Sequence, residues 1–355
     1  MAATRSNVPS LAWITLGAIT VGWAAADLVR RQYRMDFSGK VALITGGSRG
    51  LGLLLARLLT EEGASVALCA RDFQELEIAR IDLEARGVSP DRILIRTCDV
   101  TDNDQVKEMT EATLARFGRI DILINNAGTI QVGPNEVQTD EDFETAMAVH
   151  FWGPHHFVRA ALPSLKKTHG RIVNISSIGG LVAFPHLLPY STSKAALIAY
   201  SQGLRAELAR DGIRVTTVAP GLMRTGSPPN ALFKGDHSSE YAWFVLADSL
   251  PGSSQSADKA ASLIINALRF GDAFLVTSAA GKAGAFVSGL FPGLTADLLT
   301  LADRFLPTAD PGQPDDLRAV PGRESESPIT RSLLTMLTRR AARNNNQTRT
   351  KPVEG

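Results

Sequence analysis

Cysteine and histidine are scarce in this sequence, and its charges nearly cancel. Only two cysteines occur in 355 residues, Cys69 and Cys98, and both lie in apolar runs typical of strands. Such a pair indicates small buried side chains in a reducing compartment, in preference to a disulfide or a metal site. The net charge of +1, from 37 basic and 36 acidic residues, gives no indication of a nucleic-acid partner.

The six histidines show no spacing typical of metal ligands, so the sequence predicts no bound metal. Five of them are expected at the surface or in loops: His155, His156, His169, His186 and His237. A hydrophobic content of 44% with 21% charged residues is typical of a globular protein. The length allows one large α/β domain with extensions, or two small domains.

A long hydrophobic run is present at the N-terminus. Residues 6–26 carry no charge, and a helix over Pro9–Val29 would be about 32 Å long, close to the thickness of a bilayer's hydrocarbon core. Aromatic residues suited to a membrane interface and arginines typical of a cytoplasmic flank accompany it: Trp13, Trp23, Tyr33, Arg30, Arg31 and Arg34. We therefore expect residues 1–35 to be a single-pass membrane anchor, with the rest of the chain facing the cytoplasm.

Two other interpretations of this run remain open. Cleavage after the small residues Ala24–Ala26 would make it a signal peptide and export the protein. A helix that lies on the membrane surface is the second alternative, although the run has no charged face.

Residues 36–306 are expected to form one domain in which strands and helices alternate. Short β-rich runs appear at residues 41–45, 65–70, 92–97, 120–125, 171–176, 214–218 and 273–277. Amphipathic helices are expected between them, for example over residues 51–62, 102–117 and 191–210. This alternation predicts an α/β fold, a Rossmann-type doubly wound parallel sheet with helices on both faces.

The composition changes after this domain. Residues 307–355 are rich in proline, glycine, serine and charge, which predicts a flexible polar tail. Within the tail, Ile329–Arg343 could form a short basic amphipathic helix, although a disordered basic segment is an equal alternative.

A glycine-rich turn and a helix follow the first strand directly. The turn reads Thr45-Gly46-Gly47-Ser48-Arg49-Gly50-Leu51-Gly52. Glycines let the backbone turn tightly and approach a pyrophosphate closely, while the free N–H groups of the helix N-terminus face the phosphates. The position after strand one favours a dinucleotide site over an ordinary turn.

With its TGxxxGxG spacing, the turn resembles that of the short-chain dehydrogenase/reductase family, and further motifs follow in the family's order over about residues 38–280. The resemblance implies a nicotinamide cofactor with contacts to Gly46, Ser48, Arg49, Gly50, Leu51, Gly52, Asp99, Val100, Asn126, Ala127, Gly128, Tyr190, Lys194, Pro220, Gly221 and Thr225. It also implies an oxidoreductase that forms homo-oligomers. An exported domain would lack reduced dinucleotide, which favours the membrane anchor over the signal peptide.

Charge favours NADP(H) over NAD(H). NAD-binding folds of this kind usually place an acid at the end of strand two, whereas this chain has Arg71 there and Arg49 in the glycine turn. Two guanidiniums suit a 2′-phosphate better than a bare hydroxyl. Asp72 follows Arg71, and we expect it to cap the next helix.

Tyr190, Lys194 and Ser177 match the family's catalytic residues. Tyr190 and Lys194 are four residues apart and therefore share one face of a helix. A nearby ammonium is expected to lower the pKa of the phenol from about 10 toward neutrality, so that Tyr190 can give or take a proton. Ser177 is expected to hydrogen-bond the substrate carbonyl, and the resemblance adds a contact of Lys194 to the nicotinamide ribose.

One position departs from the family pattern. Many members have an asparagine, which supports a water chain to the lysine, where this chain has His150. Imidazole can also hydrogen-bond a water, and we favour this tolerated substitution over an altered or lost proton relay.

The substrate side is rich in apolar residues, which suits a lipophilic substrate, although ordinary packing of a lid explains part of them. They precede Tyr190 or lie in the expected lid, residues 222–254: Val182, Phe184, Leu187, Leu188, Leu232, Phe233, Tyr241, Trp243, Phe244 and Leu250. A further helix, with Leu294, Leu298, Leu301 and Phe305 on one side, is expected to pack on the domain or touch the membrane.

These observations predict an NADP(H)-dependent oxidoreductase that interconverts a carbonyl and a secondary alcohol on a lipophilic substrate. Family resemblance suggests 3-oxoacyl, keto-sphingoid, steroid or retinoid carbonyls without choosing among them. The alternative is a non-catalytic NADP(H)-binding sensor or scaffold at the membrane.

Overall fold

A sheet of seven parallel strands organises the computed structural model, which describes residues 28, 30–249, 254–310, 312–313, 315–326, 330 and 336–347. The strands are β1 (Val41–Thr45), β2 (Ser65–Ala70), β3 (Ile93–Thr97), β4 (Ile122–Asn125), β5 (Arg171–Ile175), β6 (Arg214–Ala219) and β7 (Phe274–Val276). Their order is β7-β6-β5-β4-β1-β2-β3, and every neighbouring pair is parallel. The predicted Rossmann-type α/β fold is confirmed. The strand order reverses between β1 and β4, where such sheets bind their ligands.

Helices cover both faces of this sheet. They are α1 (Gly50–Glu61), α2 (Phe73–Ala85), α3 (Asn103–Phe117), α4 (Asp140–Met147), α5 (Gly153–Thr168), α6 (Leu188–Leu208), α7 (His237–Ser249), α8 (Ala257–Phe270), α9 (Ala279–Leu290), α10 (Pro292–Asp303) and α11 (Met336–Asn344). Alternate residues of β1 face opposite layers. Ile44 packs in a core cluster with α1 and α8, whereas Leu43 packs in a second cluster with α3 and α5.

Local sequence signals explain where these helices begin and bend. The Asp72 carboxylate accepts hydrogen bonds from the N–H groups of Gln74 (2.8 Å) and Glu75 (3.1 Å), so the predicted cap of α2 is confirmed. A π-helical turn, Ala148–Trp152, joins α4 to α5. Pro154 has no N–H to donate to the preceding turn, which favours such a bulge. The turn buries His150 against the site.

The predicted membrane anchor lies largely outside the described residues. Among the helices that the structure does describe, none is both long and apolar enough to cross a membrane. The described end of the predicted anchor segment, residues 30–35, packs at the N-terminal edge of the sheet. There Arg30 forms an ion pair with Asp272 at 2.8 Å, and the guanidinium of Arg214 lies 3.6 Å from the ring centre of Tyr33. Tyr33, expected at a membrane interface, therefore contacts the domain.

The C-terminal third holds two further findings. No residue of α10 is buried along its described length, although its last residue, Asp303, lies 3.6 Å from His186 of the domain. Contact of this helix with the membrane, the other alternative, stays a prediction. The described parts of the expected flexible tail contact the domain. Val320–Pro321 pairs with Leu232–Phe233, and α11 (Met336–Asn344) is the described part of the helix considered over Ile329–Arg343.

Candidate active site

The predicted site residues converge at the carboxyl edge of the sheet. The glycine turn follows β1, Asn126 to Gly128 follow β4, and Ser177 follows β5. Parallel strands bring these loops together at one edge, and α6 places Tyr190 and Lys194 beside them. The topology thus joins residues that are far apart in the sequence.

The glycine turn requires glycine at specific positions. Gly46 and Gly50 have φ angles of +64° and +56°, a left-handed conformation that other residues rarely adopt. A Cβ at Gly46 would lie 2.9 Å from the Cα of Ala127, and one at Gly52 would collide with the carbonyl oxygen of Gly46. The chain is therefore built for close backbone approach, and its geometry fits the pyrophosphate of a dinucleotide.

Asn126 holds this turn in place. Its side-chain amide donates to the carbonyl oxygens of Thr45 (3.0 Å) and Gly46 (3.1 Å). The N–H groups of Asn126 and Ala127 both donate to the Thr45 hydroxyl at 3.0 Å. Asn126, one of the predicted cofactor contacts, therefore holds the glycine turn through both its side chain and its backbone.

An acidic residue that the sequence did not indicate lies beside the glycine turn. Glu75, in the first turn of α2, accepts hydrogen bonds from Arg49 at 2.8 Å and from the Ser48 hydroxyl at 3.1 Å. Arg71 is exposed at the end of β2. Of the two arginines expected at a 2′-phosphate, Arg49 is therefore already paired with a carboxylate. Position 75, three residues after the cap Asp72, is where a helix favours an acid.

The remaining cofactor candidates lie at the same edge. The carbonyl of Pro220 accepts the N–H of Ile178 at 2.8 Å, which joins the Pro220-Gly221 segment to the loop after Ser177. The Asp99 carboxylate accepts from the N–H and hydroxyl of Thr101, at 2.9 and 2.8 Å. Val100 and Thr225 are buried.

The three catalytic candidates form one cluster. The Ser177 side chain is close enough to the Tyr190 hydroxyl to influence its pKa, and its oxygen accepts the N–H of Gly179 at 3.0 Å. The Nζ of Lys194 lies 5.7 Å from the centre of the Tyr190 ring and donates to the carbonyl of Ile175 at 2.9 Å. A carbonyl compound beside Tyr190 would meet a hydroxyl donor from each of Ser177 and Tyr190.

Burial dominates the electrostatics of this cluster. It raises the pKa of Tyr190 above its usual value, against the opposing effect of the hydrogen bond with Ser177. It also lowers the pKa of Lys194 to about 7. The expectation that the ammonium lowers the pKa of Tyr190 toward neutrality is therefore wrong for this arrangement, because loss of water disfavours both charges. Tyr190 is a protonated phenol at neutral pH, the form that donates a proton.

Both nitrogens of His150 are used within the protein. Nε2 accepts the N–H of Thr129 at 3.1 Å, and Nδ1 lies 2.8 Å from the Ser193 hydroxyl. Because Nε2 accepts a hydrogen bond, the proton of the neutral ring must be on Nδ1. We assign the tautomer from this hydrogen-bond pattern. Burial and the charge of Lys194 hold the pKa of His150 well below its usual value. The substitution is accommodated, but the expected imidazole link to a water chain is replaced by a link between two protein segments.

The lid separates into a packed part and a part that faces Tyr190. Phe233, Tyr241 and Phe244 pack on one another as a small core, which is the ordinary packing that the sequence left open. Leu232 lines a cavity of about 30 Å³ against Tyr190, room for about one water molecule. A larger cavity of about 470 Å³ lies at the opposite edge of the sheet, by Tyr33 and Arg171, away from the chemistry.

His186 lies in a loop, one of the two places expected for it, and is buried there. Its Nδ1 lies 2.6 Å from Glu240, which is fully buried in α7. Glu240 also accepts a hydrogen bond from the indole of Trp243 at 2.6 Å. His186 thus ties the loop before Tyr190 to the lid, a link for which the sequence gives no signal. Both cysteines are free and buried, as expected.

Comparison with known proteins agrees with this geometry. A model of the short chain dehydrogenases matches residues 40–231. A dehydrogenase/reductase SDR family protein 7-like protein of Drosophila melanogaster is 36% identical over 268 residues, which cover 74% of this chain and 80% of the relative. A putative ketoacyl reductase of Streptomyces coelicolor is 36% identical over 189 residues, 52% of this chain and 71% of the relative.

A solved structure shows the same architecture. The short-chain dehydrogenase from Streptomyces avermitilis superposes with a TM-score of 0.62 at 32% sequence identity, over 75% of this chain and 96% of that chain. The residues that the family model matches, 40–231, contain the glycine turn, Ser177, Tyr190 and Lys194. This chain belongs to the short-chain dehydrogenase/reductase family, oxidoreductases that use nicotinamide cofactors.

Proposed function

We propose that the protein is an NADP(H)-dependent oxidoreductase that interconverts a carbonyl and a secondary alcohol on a lipophilic substrate. The observation that carries this proposal is the buried cluster of Ser177, Tyr190 and Lys194 beside the glycine turn. When bound, the reduced nicotinamide supplies a hydride. Ser177 orients the carbonyl oxygen, and the protonated Tyr190 donates to that oxygen as negative charge develops on it. The putative ketoacyl reductase among the relatives is named for this class of reaction.

The preference for NADP(H) rests mainly on Arg71. Its exposed guanidinium follows β2, where a 2′-phosphate would be read, and it suits a phosphate better than a hydroxyl. Arg49 contributes less because Glu75 holds it at 2.8 Å. A carboxylate at this place repels a phosphate, so we expect a moderate preference.

A lipophilic substrate and a membrane setting are supported by one exposed surface. The α9–α10 hairpin presents large apolar side chains that are each more than half exposed: Phe286, Leu290, Phe291, Leu294, Leu298, Leu301 and Phe305. Ser288 donates to the carbonyl of Leu181 at 3.3 Å, so this hairpin adjoins the loop that leads to Tyr190. Exposed apolar patches of this kind mark interaction sites. The proposal therefore includes a membrane-tethered enzyme, anchored by residues 1–35 and facing the cytoplasm.

Two further expectations stay proposals. The protein is proposed to be a homo-oligomer, and the half-exposed Trp152, at 48% exposure, offers an apolar contact for a second copy. The alternative of a non-catalytic sensor or scaffold is less favoured, because Ser177, Tyr190 and Lys194 come together in a cluster that binding alone does not need.

The test is NADPH oxidation with a panel of aldehydes and ketones of increasing chain length. Wild-type protein should reduce at least one carbonyl, and Tyr190→Phe should lower kcat by about 100-fold or more while leaving NADPH affinity nearly unchanged. Tyr200→Phe is the matched control, because Tyr200 lies on the same helix and bonds His155 instead of the site. Dinucleotide binding without turnover on any carbonyl would favour the sensor.

A further inference from the structure

The C-terminal segment lies across the cofactor cleft. Helix α11 docks on the lid helix α7, where the Thr338 hydroxyl donates to Asp248 at 3.2 Å and lies 2.8 Å from the Ser249 hydroxyl. Farther along α11, the backbone of Ala342 packs so closely on Gly226 that any Cβ at Gly226 would collide with it. The segment therefore runs beside Thr225, on the nicotinamide side of the cleft.

From there the chain crosses to the glycine turn. The side-chain amide of Asn345 donates to the carbonyl of Thr225 at 3.4 Å. The backbone carbonyl of Asn345 accepts the N–H of Gly50 at 2.8 Å. The Asn346 amide donates to the carbonyl of Ser48 at 3.0 Å. Residues 345–347 thus span the two sides between which a dinucleotide would lie.

The end of this segment is fixed by shape as well as by hydrogen bonds. Asn346 has a φ of +54°, a left-handed conformation that asparagine tolerates better than most residues. The following Gln347 side chain accepts from the Asn230 amide at 2.9 Å. It also lies so close to Gly50 that a Cβ there would collide with it. Asn345 and Gln347 are only 4% and 8% exposed.

The chemistry of these contacts matches that of a phosphate. Gly50 is the first residue of α1, and the free N–H groups of a helix N-terminus are the donors that hold a pyrophosphate. The carbonyl oxygen of Asn345 occupies one of those donors. One N–H cannot donate fully to both the Asn345 carbonyl and a phosphate oxygen. The segment and the dinucleotide therefore compete for the same binding site.

We propose that residues 345–347 are an intramolecular competitor for the dinucleotide, so that cofactor binding requires their displacement from the glycine turn. The proposal rests on the dinucleotide function proposed above and adds its regulation. While the segment occupies the glycine turn, the chain cannot bind the dinucleotide. The apparent affinity for the dinucleotide is therefore reduced in proportion to the fraction of chains in which the segment is displaced. Any partner or modification that withdraws the segment would activate the enzyme.

The test compares chains that end at different residues. A chain that ends at Asn344 loses the contacts to Gly50 and Ser48 but keeps α11, whereas a chain that ends at Gln347 keeps the contacts and is the matched control. We expect the first to bind NADPH about tenfold more tightly than the full chain, and the control to bind like the full chain. Asn346→Pro in the full chain, which cannot adopt the positive φ, should also tighten binding.

A second measurement reports the segment directly. Addition of NADPH to the full chain should increase amide hydrogen exchange of residues 341–347. In the chain that ends at Asn344, the exchange of residues 341–344 should change little on addition of NADPH. Equal affinity in the two truncated chains would overturn the competition, and weaker binding by the shorter chain would make the segment a lid that retains cofactor. Failure of every chain to bind NADPH or NADH would overturn the proposed function itself, and the competition with it.

Discussion

The imidazole of His150 donates from Nδ1 to the Ser193 hydroxyl over 2.8 Å, while Nε2 accepts the N–H of Thr129 over 3.1 Å. Ser193 in turn donates toward the carbonyls of Pro189 and Tyr190, at 2.9 Å each. A fully buried neutral ring therefore ties the loop after β4 to the first turn of α6. That turn carries Tyr190, whose ring meets the imidazole edge-on at a centroid distance of 5.5 Å. We infer that His150 positions Tyr190.

Replacing this ring should separate positioning from proton transfer. His150→Ala leaves the Thr129 N–H without its acceptor, which costs about 1–3 kcal/mol of stability, while the Ser193 hydroxyl loses the imidazole but keeps its bonds to the carbonyls of Pro189 and Tyr190. We expect a lower Tm and a kcat reduced by about tenfold or more, with little change in KM for NADPH. His150→Asn, which can still accept from Thr129, should recover much of both.

The pH profile distinguishes this role from a proton relay. The pKa of His150 is held well below its usual value, so the ring stays neutral through the working range. The acidic limb of kcat should therefore be the same in wild type and His150→Asn. A limb near pH 6.5 that disappears in the asparagine variant would show that His150 titrates during turnover, and positioning alone would not account for it.

Glu75 should set the strength of the NADPH preference. Glu75→Gln removes the charge that pairs with Arg49 at 2.8 Å and frees the guanidinium for a 2′-phosphate. We expect the ratio of kcat/KM for NADPH over NADH to rise about three- to tenfold, a modest effect because the pair is partly exposed. The control is Glu77→Gln, on the same helix, whose partner is Arg80. Equal ratios in the two variants would mean that Arg49 does not face the phosphate.

Arg71→Asp tests the other arginine. This change replaces the exposed guanidinium after β2 with the acid that NAD-binding members of such folds carry there. A charge-assisted contact to phosphate contributes about 1.5–3 kcal/mol, so the preference for NADPH should fall by at least about tenfold. An unchanged ratio of the two kcat/KM values would show that Arg71 does not read the 2′-phosphate.

The sequence predicts those features that local patterns determine. Runs of β-branched and apolar residues located all seven strands of the main sheet, because a buried parallel strand has few other compositions. Asp72 was recognisable as a cap from its place before α2. The family resemblance supplied Ser177, Tyr190 and Lys194, which the structure does bring together.

What the sequence could not predict depends on contacts between distant segments. Arg49 and Glu75 are 26 residues apart, and His186 and Glu240 are 54 apart, so only the folded chain shows that these charges meet. The polar composition of Asn344 to Gln347 indicated a free tail, yet the Asn346 amide donates to the carbonyl of Ser48 and the backbone carbonyl of Asn345 accepts the N–H of Gly50. The direction of the Tyr190 pKa was missed for the same reason, since burial is a property of the fold.

Because of Lys194, the free energy of unfolding should increase with pH in the alkaline range. Burial lowers its pKa to about 7, whereas an unfolded lysine titrates at about 10.4. Between these values the unfolded chain holds a proton that the folded chain has released, so the free energy of unfolding rises as the pH increases from about 7 to 10. Urea denaturation should show this rise in wild type relative to Lys194→Met, which has nothing to titrate there. Parallel curves for the two proteins would contradict the low pKa.

The N-terminal boundary of the folded domain should lie before residue 36. Arg30 pairs with Asp272 at 2.8 Å, and Arg214 lies over the Tyr33 ring at 3.6 Å. The carbonyl of Tyr33 also accepts a hydrogen bond from Arg171, a guanidinium with only 6% exposure. A chain that begins at Asp36 loses all three contacts and leaves a buried charge with one acceptor fewer.

We therefore expect two N-terminal truncations to behave differently. A chain that begins at Leu28 should keep the wild-type free energy of unfolding and its activity on a short water-soluble ketone, because the cradle starts only after β1. A chain that begins at Asp36 should be less stable by about 1–3 kcal/mol, the range for an unsatisfied buried donor plus a lost cation–π contact. Tyr33→Ala in the longer chain, which keeps the backbone carbonyl, should lower the free energy of unfolding by only part of this difference.

Both truncated chains should lose more activity on a long-chain lipid than on the soluble ketone, since tethering raises the local concentration of a membrane-dissolved substrate. Recovery of the full-length protein in the soluble fraction, with equal activity on both substrates before and after truncation, would contradict the anchor.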